Sequence, residues 1–194
     1  GEGTGAAIEN NGSLNIEGVA LQSESNGTVI ENNNVANIEG STLNDGALVN
    51  NENGQANIEG STLNEGSVEN NGQVDFTNST LNENSVENNG QANVNGGNVD
   101  DNAVENGEGA VVGSQSAEDL QRAINNAKAG EPNVFTLTAD IEGDVVVVIQ
   151  KPDVKITIDG DADHKYKFNG YFKVHSNSNH YDTAAVTFKN IKFE

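Results

Sequence analysis

The sequence predicts an all-β fold: a parallel β-solenoid with one short capping helix near residues 116–129. Three observations predict it: an apolar pattern recurring every 18 to 22 residues, short alternating segments between turn signals, and columns of like polar residues. A fixed short period means that each copy is one unit that buries its apolar side only by stacking on its neighbours. We therefore expect stacked parallel strands rather than a globular core.

The clearest repeat is an 18-residue pattern that runs twice without a break between Val68 and Val104. Asn-Gly and Glu-Gly pairs bound its alternating segments, which predicts short strands that meet at tight corners. Extra residues, such as 22–26, mark loops that bulge out between copies. The copies open at apolar residues, namely Ile8, Ile30, Leu48 or Val49, Val68, Val86 and Val104.

One copy cannot be stable alone. Burying about four aliphatic side chains contributes roughly 6 to 12 kcal/mol, whereas ordering the 18 residues of a copy costs about 27 kcal/mol. Hydrogen bonds and like side chains stacked between copies must supply the rest. Three such columns are expected: Asn70, Asn88 and Asn106; Gln55, Gln73 and Gln91; Gly54, Gly72 and Gly90.

An amphipathic helix of about 13 residues is predicted after the repeats. Ser116 is a candidate N-cap, with Asp119 at the capping-box position and Gly130 as a stop. Its apolar residues fall at i, i+3, i+4 and i+7, namely Leu120, Ala123, Ile124 and Ala127. A helix of this kind can cover the open edge of a solenoid.

Charge divides the chain into two predicted parts, repeats over 1–113 and the helix with further coils over 114–194. The first part holds 18 acidic residues and no Lys, Arg or His, and the second holds all nine Lys and Arg. A surface this acidic repels nucleic acid and anionic membranes, so neither is an expected partner. The longest apolar run is far too short to span a bilayer, so direct membrane insertion is not expected.

Strand patterns with polar corners follow the helix, as in Leu137-Thr-Ala-Asp140, Ile156-Thr-Ile158-Asp-Gly160 and Val186-Thr-Phe188-Lys-Asn190. From Ser116 onward the chain resembles the pectin-lyase-like right-handed parallel β-helix family. Residues 8–112 are similar to the Asn/Gly-rich repeats of bacterial surface adhesins and autotransporter passengers. These resemblances imply a β-helix on an extracellular cell surface, and we expect the chain to be a fragment of a longer protein.

The strongest chemical feature is a column of carboxylates. Neighbouring charges roughly 5 Å apart repel by about 3 kcal/mol near a protein surface, so calcium or a basic ligand would relieve them; the alternative is a solvated acidic face. The candidate ligand-binding residues are Glu69, Glu87 and Glu105 with Asn70, Asn88 and Asn106. The column also contains Glu9 and Glu31, with Asn50 or Asn51 at the matching place, and a second column comprises Glu17, Glu39 and Glu59.

A second candidate site is a calcium loop at Asp159, Asp161 and Asp163, whose alternate spacing can point three carboxylates at one ion. The rest of an EF-hand loop is missing, because His164 and Gly170 stand at its sixth and twelfth positions. The alternative is an ordinary Asp-Gly turn. No spacing predicts that His164, His175 and His180 converge on zinc. No other cofactor is expected.

Catalysis is not expected. Lyases that resemble this fold use an arginine or lysine base with calcium, and the single arginine, Arg122, lies in the predicted helix. We therefore expect a non-catalytic adhesin or stalk module whose repeats bind carbohydrate or a surface protein. One alternative is a fibre-forming subunit like functional amyloid, against which the capping helix argues. Another is a polysaccharide lyase or hydrolase fragment.

Overall fold

The computed structural model describes residues 6–23, 27–100, 102–107, 110–130, 132–149, 154–174 and 185–194. The chain divides into two compact units, Gly1–Gly107 and Glu108–Glu194. Each unit is built of parallel strands, so the predicted parallel β-solenoid is confirmed. The described residues contain one helix, as predicted.

The first unit repeats a turn of three short strands of three, five and two residues. It contains five such turns and the opening strand of a sixth. In chain order the strands are β1 (Ile8–Asn10), β2 (Ser13–Glu17), β3 (Ala20–Leu21), β4 (Ile30–Asn32), β5 (Val35–Glu39), β6 (Thr42–Leu43), β7 (Leu48–Asn50), β8 (Gln55–Glu59), β9 (Thr62–Leu63), β10 (Val68–Asn70), β11 (Gln73–Thr77), β12 (Thr80–Leu81), β13 (Val86–Asn88), β14 (Gln91–Asn95), β15 (Asn98–Val99) and β16 (Val104–Asn106).

Each kind of strand pairs with its counterpart in the next turn. The three-residue strands form the sheet β1-β4-β7-β10-β13-β16, and the two-residue strands form β3-β6-β9-β12-β15. The five-residue strands pair in the order β2-β5-β8-β11-β14. Val68 lies opposite Val86, and Val86 lies opposite Val104. The predicted stacking of the repeats is therefore confirmed.

The core of this unit is a set of stacked apolar columns. Ile30, Leu48, Val68 and Val86 are at most 2 % exposed. Phe76 stacks between neighbours of the same column and is also buried. Because each strand alternates, every inward residue is flanked by outward ones, and the outward residues are polar in most turns. The narrow core therefore leaves long polar columns outside.

Two corner positions explain part of the glycine content. The corner after β5 holds Gly40 at φ 55°, and the same corner after β11 holds Asn78 at φ 49°, a left-handed conformation that Gly and Asn tolerate best. At Gly72 the constraint is space, because a Cβ there would meet the carbonyl oxygens of Asn51 and Gly54 in the previous turn. A side chain at residue 72 would therefore force these two turns apart.

The second unit continues with seven strands and the helix. In chain order these are β17 (Val111–Ser114), α1 (Ala117–Asn125), β18 (Pro132–Leu137), β19 (Ile141–Ile149), β20 (Lys155–Asp159), β21 (Lys167–Val174), β22 (Ala185–Lys189) and β23 (Lys192–Phe193). The strands pair in parallel as β17-β18-β20-β22 and β19-β21-β23. Helix α1 places Leu120 and Ile124 in a buried cluster with Phe135 and Phe168.

Helix α1 is shorter than the predicted 13 residues. It begins after Ser116 and ends at Asn125, and Asn126 caps its C-terminus by donating its backbone N–H to carbonyls of the last turn. Ala127 is buried as predicted, but it lies beyond the helix end. That helix α1 covers an open edge of the solenoid stays a prediction.

Candidate functional site

The glutamate column lies on the outer face of the three-residue strands. In each of these strands the first and third residues point inward, so the middle residue points out. The column comprises Glu9, Glu31, Val49, Glu69, Glu87 and Glu105 in register. The prediction that Asn50 or Asn51 fills the irregular place was wrong, because Val49 lies opposite Glu31 and Glu69. An apolar side chain therefore divides the column into two acidic segments.

The three predicted glutamates, Glu69, Glu87 and Glu105, line one groove of about 350 Å³. The turn residues Asp45, Gly46 and Gly66 line the same groove. These residues come from successive turns, so the groove runs along the stack of strands. Parallel neighbours in a sheet lie about 4.8 Å apart, so the groove presents carboxylates at that repeat.

The carboxylates of the column are held by asparagines, which the sequence analysis did not identify as site residues. Asn71 donates its side-chain amide to Glu69 Oε1 at 3.0 Å, and Asn89 donates to Glu87 Oε1 at 3.4 Å. The repeated Glu-Asn-Asn sequence could have indicated these asparagines, since it places an amide two residues after each glutamate. The second asparagines form two bonded runs, Asn11–Asn33–Asn51 and Asn71–Asn89, which together are called the outer asparagine ladder.

Amide donors reduce the repulsion within the column, because each offsets part of a carboxylate's negative charge. The outer ladder itself is bonded between turns, since Asn51 donates to Asn33 Oδ1 at 2.7 Å. Three of its members, Asn51, Asn71 and Asn89, line a second, more open groove of about 530 Å³. The two grooves together give the first unit an extended polar surface of fixed side chains.

The predicted partners Asn70 and Asn88 point to the inside. Both are 0 % exposed. Asn70 donates to Asn88 Oδ1 at 2.8 Å, and Asn88 donates to Asn106 Oδ1 at 2.8 Å. They belong to an inner asparagine ladder, comprising Asn10, Asn32, Asn50, Asn70, Asn88 and Asn106. A ligand on the surface does not reach the buried members, so the ligand-binding prediction depends on the glutamates.

A further polar array covers the outer face of the five-residue strands. The predicted second column is in register, with Glu17 opposite Glu39 and Glu39 opposite Glu59. Beside it, Asn57 donates to Asn37 Oδ1 at 2.7 Å, and Asn93 bonds to Asp75 across neighbouring turns. These bonds fix the outward side chains of the long strands as well.

The three aspartates of the predicted calcium loop follow β20. Asp159 Oδ1 accepts the backbone N–H of Asp161 at 3.1 Å, and Asp161 Oδ1 accepts those of Asp163 and His164 at 2.8 and 3.0 Å. The bond from the His164 N–H is the main cause that lowers the pKa of Asp161 below its ordinary value. These contacts are those of an Asx turn. Calcium binding at Asp159, Asp161 and Asp163 stays a prediction.

Within the described ranges, no group of three or more His, Asp or Glu side chains is arranged to hold a metal ion. His164 is exposed beside Asp161, and His175 and His180 lie outside the described residues. Arg122 lies in α1 as predicted and forms an ion pair with the buried Asp119 at 3.2 Å. Its guanidinium therefore has a structural partner within the helix.

Comparison of the chain with protein-family models, with curated proteins and with solved structures finds no match in any of the three. In the part of the chain that the structure describes, no helix has the length and apolar character needed to cross a bilayer.

Proposed function

We propose that this chain is a non-catalytic binding module, an adhesin or stalk of an extracellular cell surface, that contacts carbohydrate or a surface protein. The observation that supports it best is the groove in which Glu69, Glu87 and Glu105 repeat in register over three successive turns. The resemblance of the repeats to those of bacterial surface adhesins points in the same direction.

The chemistry of the groove favours a ligand with repeated hydrogen-bond donors. Ionised carboxylates are acceptors only, and they bind hydroxyl, ammonium or guanidinium groups strongly. An extended polymer with such groups would contact one carboxylate per turn. Weak contacts of one kind, repeated along a rigid surface, combine into a much tighter interaction.

The side chains of the groove are already held in place before a ligand binds, which lowers the conformational entropy lost on binding. Glu69 and Glu87 are already held by Asn71 and Asn89, so less side-chain freedom is lost when a ligand binds. The same negative surface disfavours polyanions such as nucleic acid. The proposed ligand is therefore a neutral or basic carbohydrate or a basic segment of a surface protein.

The test is binding of the full chain to an immobilised panel of neutral, basic and acidic polysaccharides and of lysine-rich peptides. We expect a neutral or basic member to bind, and the double variant Glu69→Gln with Glu87→Gln to weaken that binding about tenfold or more, which corresponds to about 1.4 kcal/mol. The matched control is Glu39→Gln with Glu59→Gln, which removes the same charge from the other column.

Equal losses in the two double variants would show that only the general charge matters, and would contradict a site in the groove. Repeating the measurement with calcium and with a chelator separates direct binding from binding through the metal. Absence of binding to every member of the panel would contradict the proposed function itself.

A further inference from the structure

The outer asparagine ladder is interrupted between Asn51 and Asn71. Within a bonded run, each amide donates to the preceding member, as Asn51 does to Asn33 Oδ1 at 2.7 Å. Asn89 donates to Asn71 Oδ1 in the same way at 3.3 Å. The amide of Asn71 donates to Glu69 Oε1 instead. Among the described residues no group donates to Asn51 Oδ1, so the ladder has an open acceptor at this place.

The chain is also longer at this interruption than at the same corner of the other turns. The corner between the three-residue and the five-residue strand has two residues in four of the turns, but four residues, 51–54, in the third turn. The Gly54 N–H donates to the Asn51 carbonyl at 2.7 Å, so the corner closes on itself. Glu52 and Asn53 are exposed and line one groove with Asn51. The extra residues therefore add a wall beside the open acceptor.

This groove, which we call the asparagine groove, is lined by Asn51, Glu52, Asn53, Asn71 and Asn89. Its volume of about 530 Å³ lies in the range of about 300 to 1,000 Å³ that is usual for small-molecule sites. Four of its five lining side chains are amides, which donate and accept hydrogen bonds. Among the described residues that line it, none is apolar or aromatic. The groove therefore binds through hydrogen bonds and not through apolar contact.

Hydroxyl groups match this set of side chains best, because a hydroxyl also both donates and accepts. Anions are disfavoured by Glu52 and by the first unit, which has no basic residue. Cations are drawn to the groove lined by Glu69, Glu87 and Glu105 (the glutamate groove), which has three carboxylates where the asparagine groove has one. A neutral ligand that is rich in hydroxyl groups, a carbohydrate, therefore fits the asparagine groove.

A peptide strand fits the asparagine groove less well. Strand addition needs backbone groups that are still unpaired. The backbone N–H groups of Asn51, Asn71 and Asn89 already donate to carbonyls of the preceding turn at 2.7 to 2.9 Å. Apolar side chains of a peptide would also meet only amides and a carboxylate in this groove.

We propose that the asparagine groove is a second binding site of the first unit and that it takes a neutral carbohydrate chain. Asn51 Oδ1 accepts a bond from one sugar hydroxyl, and the exposed amide of Asn53 binds another from the added wall. A chain that lies along the groove meets the amides of Asn71 and Asn89 at the strand repeat of about 4.8 Å. The site uses no side chain of the glutamate groove, so it does not depend on ligand binding there.

Nuclear magnetic resonance titration of the ¹⁵N-labelled full chain with neutral gluco-, manno- and xylo-hexasaccharides tests the proposal. We expect at least one of them to shift the side-chain amide signals of Asn51, Asn53 and Asn71. Deletion of Glu52 and Asn53 gives the third turn the short corner of its neighbours and should weaken this binding about tenfold or more. Asn53→Ala keeps the backbone of the corner and should weaken it about threefold or more, so it tests the same contact if the deletion variant does not fold.

The matched control is Asn98→Ala, which removes an exposed asparagine of the first unit that does not line the groove. It should leave the binding within about twofold of the unchanged chain. The double variant Glu69→Gln with Glu87→Gln should do the same, since glutamine still accepts the asparagine amides.

Three outcomes overturn the proposal. The first is that no neutral hexasaccharide shifts these amide signals, and the second is that Asn98→Ala weakens binding as much as Asn53→Ala. The third is that binding is lost in the double glutamine variant and kept in Asn53→Ala, which would place the carbohydrate in the glutamate groove. That last result would support the proposed function and contradict only the second site.

Discussion

At the scale of single residues, the inner asparagine ladder shows how a polar side chain can occupy the core of a narrow solenoid. The side chain of Asn70 accepts a hydrogen bond from the Asn50 amide at 2.8 Å and donates one to Asn88 Oδ1 at 2.8 Å. Its amide also donates to the backbone carbonyls of Gly72 and Gln91. A buried amide is tolerated only when its donors and acceptors have partners, and this ladder provides them in every internal turn.

We expect Asn70→Ala to lower the free energy of unfolding by about 2 to 4 kcal/mol, because it removes the buried hydrogen bonds of the Asn70 side chain. The control is Asn89→Ala in the outer ladder, where water replaces the lost partners and the change should be about 0.5 kcal/mol. Urea unfolding of the full chain measures both. Similar losses for the two variants would contradict the special role of the inner ladder.

Much of this residue-scale arrangement could be predicted, because identical residues at the same offset in successive repeats indicate which residues lie opposite each other. The same logic failed at Leu48-Val49-Asn50, where two adjacent apolar residues allow two registers. In the structure Leu48 points inward, because this register also places Asn50 in the inner ladder, where it donates to Asn70. Alternation also predicts that Asn70 points inward beside the outward Glu69, and this signal separates the buried asparagines from a surface site.

At the scale of elements, α1 could be predicted at its start and not at its end. Ser116 and Asp119 form a local capping arrangement that is visible in the sequence. The end depends on a contact outside the helix, because the Asn133 side chain in β18 accepts the N–H of Lys128 and donates to its C=O, both at 2.9 Å. That contact holds the chain after Asn126 in a turn, so the apolar period continues to Ala127 without a helix.

We expect Ser116→Ala to destabilise the second unit by about 1 kcal/mol, since the Asp119 N–H loses its acceptor at the helix start. The backbone amides of α1 should also exchange hydrogen faster in Ser116→Ala than in the unchanged chain. Gln121→Ala, in the same helix but away from the N-cap, is the control and should change the exchange less, since alanine has the higher helix propensity. Faster exchange in Gln121→Ala than in Ser116→Ala would contradict the assigned cap.

At the scale of the whole molecule, the two units differ most in charge. Residues 1–107 hold 17 acidic residues and no basic ones, whereas residues 108–194 hold 13 acidic and nine basic residues. The first unit therefore has no cation of its own to balance its columns, and asparagine amides provide the nearest positive dipoles. A compact unit with one sign of charge is destabilised by its own field, and dissolved salt screens that field.

This difference predicts that added salt stabilises the first unit more than the second. Raising sodium chloride from about 0.01 M to about 0.5 M shortens the Debye length from about 30 Å to a few ångströms, so repulsion between columns falls. Hydrogen exchange read by mass spectrometry should show slower exchange over residues 27–100 and a smaller change over residues 154–174. Glu87→Gln should reduce the salt effect in the first unit, because it removes one charge from the centre of an acidic segment. Equal slowing in both units, or faster exchange in the first, would show that self-repulsion does not limit its stability.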